Sequence, residues 1–144
     1  MLDDVQNLFD DVFFPELKEY ITSNSSYSPY VFKQEPEDKL FPVVVVKQSD
    51  VTGKYTTLKY TDYIYPFNMV INVYAVQNGS ISNATICDEL TNIIEEFFYD
   101  VYKMKVQTCK NVANIDTNVH RNILYVSGRI DTKYGDKLII YPDL

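Results

Sequence analysis

A chain of 144 residues, 46% hydrophobic and 23% charged, is long enough for one folded domain and leaves little room for two. Its net charge of −7 argues against a basic nucleic-acid-binding surface, which would have to displace counterions from phosphates; DNA moving past such an acidic wall would be repelled and slide. Thirteen tyrosines and eight phenylalanines without a tryptophan suit half-buried strands and protein–protein contact, and a low-GC coding sequence produces the same surplus.

In chain order, a helix is expected over about 3–23, where Val5, Leu8, Phe9, Val12, Leu17, Tyr20 and Ile21 keep a three-four spacing. Pro15 interrupts it, which predicts a kink or two short helices meeting near Phe14. The start Met1-Leu2-Asp3-Asp4 lacks a basic stretch and an apolar run, so no signal peptide is expected. Residues 24–38, broken by Pro29 and Pro36, read as a flexible loop with room for a short strand at 30–33. A strand follows at 40–48. Its run Val43–Val46 is apolar on both faces, which predicts burial on both sides or against a neighbouring subunit, and it is too short to span a membrane. After a turn at 49–53, a second strand near 55–60 completes a hairpin.

Residues 64–77 alternate as a long strand. Phe67, Met69, Ile71, Val73 and Ala75 share one face, and Asn68, Val70, Asn72, Tyr74 and Val76 the other. Asn78-Gly79 ends it in a tight turn. The main helix spans about 83–102, capped by Ser82 or Asn83, with an apolar stripe of Ile86, Leu90, Ile93, Ile94, Phe97 and Val101. Burying that stripe on a sheet contributes on the order of ten kcal/mol before entropy is subtracted. Strands are expected at 105–111, 118–131 and 137–141. The fold class is therefore α+β: one domain over 1–144, a mixed or antiparallel sheet packed by one main helix and an N-terminal helix.

The residues that chemistry needs are sparse. His120 is the sole histidine and opens a strand, so a surface position is expected rather than a triad or a metal site. Cys87 and Cys109 are not spaced for zinc and are expected as reduced, buried thiols of a protein made in the cytoplasm. The pairs Asp88-Glu89 and Glu95-Glu96 fit solvated helix faces. With four glycines there is no phosphate-cradling loop, and no calcium loop is present. No catalytic residue, cofactor or metal is expected. Arg121 and Arg129 are the only arginines, and two on one strand mark an interface, an ion pair or an exposed strand charge.

The element order, together with Asn114-Ile115-Asp116-Thr117-Asn118-Val119-His120-Arg121 and Gly128-Arg129-Ile130-Asp131, resembles the tail terminator proteins of tailed bacteriophages and their relatives in contractile tails. In that family a long strand and polar turn precede the main helix. A short strand follows, then a second long strand ending in a Gly-x-Ile-Asp-like sequence. The resemblance covers about residues 1–141 and implies a non-enzymatic virion protein, made in the host cytoplasm. It implies a ring, usually hexameric, that caps the tail tube and joins it to the head connector or stopper, beside a sheath if the tail contracts. DNA passes through the lumen, and no membrane is involved. Tyr63, Tyr65, Tyr74, Arg121 and Arg129 are the candidate interface residues. A head–tail stopper, a tail tube protein, an adaptor for another partner or a small-ligand-binding α+β domain are the alternatives that the pattern leaves open.

Overall fold

A computed structural model describes residues 2–38, 40–48, 64–113, 116–131 and 139–142; the strand expected near 55–60, the turn at 49–53 and Tyr63 lie outside them. The fold is α+β. The chain opens with α1 (Leu2–Leu8), a π-helical turn (Phe9–Phe13) and α2 (Phe14–Asn24). The sequence predicts a kink or two short helices meeting near Phe14; a separate helix, α2, does begin at Phe14, but the backbone stays helical through Leu8, Phe13 and Phe14 rather than breaking. The reason is a change of hydrogen-bond register: the Phe14 N–H reaches the Phe9 carbonyl, five residues back. This wider turn comes just before Pro15, which has no N–H to give and occupies the start of α2.

The π turn also turns both Phe9 and Phe13 into the core. The Phe13 ring lies 5.3 Å from Phe67, 5.9 Å from Phe97 and 5.8 Å from Phe98. The two helical halves thereby meet the sheet and the main helix at one aromatic cluster.

The strands are β1 (Tyr30–Phe32), β2 (Val43–Gln48), β3 (Ile64–Pro66), β4 (Met69–Ala75), β5 (Gln107–Cys109), β6 (His120–Val126), β7 (Gly128–Asp131) and β8 (Ile139–Pro142). A five-stranded sheet has the order β1-β2-β4-β6-β5, antiparallel except for the parallel pair β1–β2. A smaller antiparallel sheet has the order β3-β7-β8. The short strand expected at 30–33 is β1.

The two long strands expected at 64–77 and 118–131 are each interrupted once, at Phe67-Asn68 and at Ser127. The alternation of faces continues through both breaks. Tyr65, Phe67, Met69, Ile71, Val73 and Ala75 face the core, as do Leu124, Val126 and Ile130. Between the two sheets the Phe67 N–H donates to the Gly128 carbonyl at 2.7 Å. The pair β3–β4 with β6–β7 is thus one antiparallel ribbon whose register carries through the interruption, with Gly128 beside it.

The main helix α3 (Asn83–Tyr102) follows the turn at Asn78-Gly79, where Gly79 takes a positive φ. The Ser82 hydroxyl caps it, accepting from the Thr85 N–H at 3.2 Å. Lys103 ends it in the left-handed conformation, and the Met104 N–H returns to the Phe98 carbonyl. Ile86, Cys87, Leu90, Thr91, Ile94, Phe97 and Phe98 are buried against the ribbon. Val101, expected in the stripe, is 43% exposed, and Met104, just after the left-handed Lys103, is buried in the core. The strand expected at 105–111 is three residues long, Gln107–Cys109. Val43–Val46 are all buried, Val44 and Val46 towards the helices and Val43 and Val45 on the outer face.

Phe13→Ala removes the ring that joins α2, α3 and the ribbon; we expect a loss of about 3–5 kcal/mol, read as a lower urea midpoint at unchanged slope.

Candidate functional site

Cross-strand register arranges the outer face of the large sheet in rows. Tyr30, Val43, Tyr74 and Arg121 form one; Phe32, Val45, Asn72, Ile123 and Cys109 form the next. Among the candidate interface residues, Tyr74 and Arg121 are therefore direct cross-strand neighbours. The Arg121 guanidinium lies 5.6 Å from the Tyr74 ring centre and donates through Nε and Nη2 to Asn72 Oδ1, at 3.1 and 2.9 Å. The Tyr74 hydroxyl donates to Glu35 Oε1 at 3.1 Å, which brings the β1–β2 connection over this face. Burial pushes the Tyr74 hydroxyl above its ordinary pKa, the Glu35 charge adds to the rise, and Arg121 opposes it. The group fixes an arginine in one orientation and offers no nucleophile.

Arg129 is half-buried on the same side of the ribbon, opposite Pro66, eight residues and so an even number of strand positions from Arg121. Tyr65 faces the other way and packs, half-buried, against the core. Tyr63 lies outside the described residues.

A second polar cluster lies inside, where α3 crosses β6. Asn122 is fully buried on the core side of β6. Its Nδ2 donates to Asp88 Oδ1 and to Thr91 Oγ1, both at 2.9 Å, and its Oδ1 accepts from the Asn111 N–H at 2.9 Å. The Thr91 hydroxyl donates to the Cys87 carbonyl, and the Cys87 thiol to the Val73 carbonyl. One asparagine thus ties α3, β6 and the turn after β5. The sequence carried a signal for it: an amide on the apolar face of a strand, matched by a threonine on the buried face of the helix.

His120 also departs from expectation. It sits on the core side of the sheet, its side chain only 13% exposed, with Nε2 3.9 Å from Asp88 Oδ1. The physical cause is parity: residue 120 shares its face with Asn122 and Leu124. Burial pushes the Cys87 thiol up to about 12, so it stays protonated and unreactive at neutral pH. Three tyrosines meet carboxylates along the seam of α2 and α3. The Tyr102 hydroxyl donates to Glu16 Oε1 at 3.2 Å, Glu89 bonds Tyr27, and burial together with the Asp100 and Glu96 charges raises Tyr20. Among the described residues no group of three His, Cys, Asp or Glu is placed to hold a metal, and no helix is long and apolar enough to cross a membrane.

No protein-family model matches the chain, and neither a curated protein nor a solved structure matches it.

Asn122→Ala is expected to cost about 1–3 kcal/mol by leaving the Thr91 and Asn111 groups short of a partner, measured by urea denaturation. At pH 8 a thiol reagent should modify Cys109 first and Cys87 only on unfolding. The raised Cys87 pKa favours the folded state while the thiol is neutral. That contribution is complete below the ordinary thiol value of 9.0 and is lost as pH rises towards about 12. The gap in urea midpoint between wild type and Cys87→Ala should therefore narrow between pH 8 and pH ~11.

Proposed function

We propose that the protein is a structural subunit of a bacteriophage or phage-like tail, building a ring that ends the tail tube and joins it to the head. The observation that carries this reading is the order of elements. A long strand pair member (β3–β4), a polar turn, one amphipathic helix, a three-residue strand and a second long strand (β6–β7) ending in Gly128-Arg129-Ile130-Asp131 follow one another in the sequence pattern on which the resemblance rests.

The role is mechanical rather than catalytic. The Cys87 thiol is held neutral, and the sole histidine is folded into the contact between α3 and β6. Arg121, fixed by Asn72 and stacked on Tyr74, belongs to the wall that subunits present to one another, and the acidic balance of the chain lets DNA transit without adhering. The partners are further copies of the chain, the tube end, a sheath if the tail contracts, and the head connector. The site of action is the virion, after synthesis in the host cytoplasm.

Native mass spectrometry of the purified chain, with negative-stain imaging of tail particles, tests the reading. A closed oligomer of one size that is found at the head-proximal end of particles supports it. A monomer at every concentration, missing from particles, overturns it.

A further inference from the structure

The Arg121 guanidinium is half-buried, yet among the described residues no acid pairs with it. Its neighbours are the buried, neutral Asn72 amide and the Tyr74 ring. Glu35, which the β1–β2 connection brings over this face, is engaged by the Tyr74 hydroxyl instead. A charge partly withdrawn from water and left without a counter-charge is unfavourable, and an anion placed against it relieves that penalty.

The way Asn72 holds the arginine decides which donors remain. Nε and Nη2 both point to Asn72 Oδ1, so the side-on edge of the guanidinium is filled. The end-on edge, formed by Nη1 and the outer hydrogen of Nη2, keeps its donors. These lie in a rigid plane and match the two oxygens of a carboxylate. Asn72 and Tyr74 fix the plane in advance, so little side-chain freedom is lost when an anion docks. Of the anions that fit such a fork, a carboxylate is the one this chain carries in excess, with 20 acidic residues against 13 lysines and arginines. The same excess holds phosphate-bearing DNA away. An arginine on one surface meeting an acid on another is a head-to-tail contact, the kind that closes into a ring when the rotation permits. We propose that the end-on fork of Arg121 receives a carboxylate from a second copy of the chain, an inference that rests on the ring reading and names the contact made at this residue.

Sedimentation velocity on the full chain compares wild type with Arg121→Gln, which removes the charge, and Arg121→Lys, which keeps it without the fork. Both variants should keep the wild-type melting curve. Arg121→Gln should associate roughly tenfold or more weakly, with Arg121→Lys between. Arg121→Lys also places an amine at the fork, so a carbodiimide joins it to a carboxylate in contact. Cross-linking a mixture of unlabelled and isotope-labelled chains, followed by peptide mass spectrometry, identifies that acid and the copy it comes from. The expected product links position 121 of one copy to an acid of another, and it decides the matter even where Arg121→Gln fails to fold. A link confined to Glu35 of the same chain, or no link, overturns the inference. So does an Arg121→Gln chain that folds and assembles like wild type. In each of these cases the ring reading stands as long as wild type assembles. A wild-type chain that is monomeric throughout overturns both.

Discussion

The packing of α3 on the β4–β6 pair is the contact on which the rest of the structure depends. Both long strands pass beneath it, and its buried stripe supplies Ile86, Leu90, Ile94, Phe97 and Phe98 to the same core as Met69, Ile71, Val73 and Leu124. The N-terminal helix joins through Phe13, whose ring meets α3 and Phe67 together. Apolar burial has no direction of its own, so the position of the helix along the ribbon has to be set by something else. Asn122 supplies it. An amide with partners on α3, β6 and the turn after β5 is satisfied in one arrangement and left with orphaned groups in others.

Polar groups on the two faces of β6 have opposite consequences. On the core side, Asn122 and His120 are enclosed with Asp88, Thr91 and Cys87, and burial makes the thiol inert. On the outer side, Arg121 is held by Asn72 and Tyr74, and its charge stays at the surface with Glu35 beside the tyrosine hydroxyl. An arginine fixed in this way presents its remaining donors without losing much side-chain entropy on contact, which is an advantage for a surface meeting a partner. Within the inner cluster Cys87, Thr91 and Asn122 are buried, while the Asp88 side chain stays 40% exposed.

Among the described residues, helices cover one face of the large sheet, the connection after β1 reaches over the other through Glu35, and β1 and β5 are its outermost strands.

Much of this was legible in the chain itself. Period-two alternation at 64–77 and 118–131 and the three-four stripe at 83–102 identified the ribbon and the main helix, because side-chain direction repeats with backbone geometry whatever the surroundings. The short strand at 30–33 was also readable. The interruptions at Phe67-Asn68 and Ser127 were not, since alternation of faces and register both carry through them. Nor was the π turn: a proline announces a disturbance, but whether the helix breaks or shifts register depends on what Phe9 and Phe13 gain by packing on Phe67 and Phe98. Nor was the burial of Met104 in place of an inward Val101, since the left-handed turn at Lys103 has no signal in the apolar spacing. Residue type and spacing determined the elements and their inward faces. The pairing of Tyr74 with Arg121 and the enclosure of His120 were decided by the tertiary structure, because strand order joins residues that no local period connects.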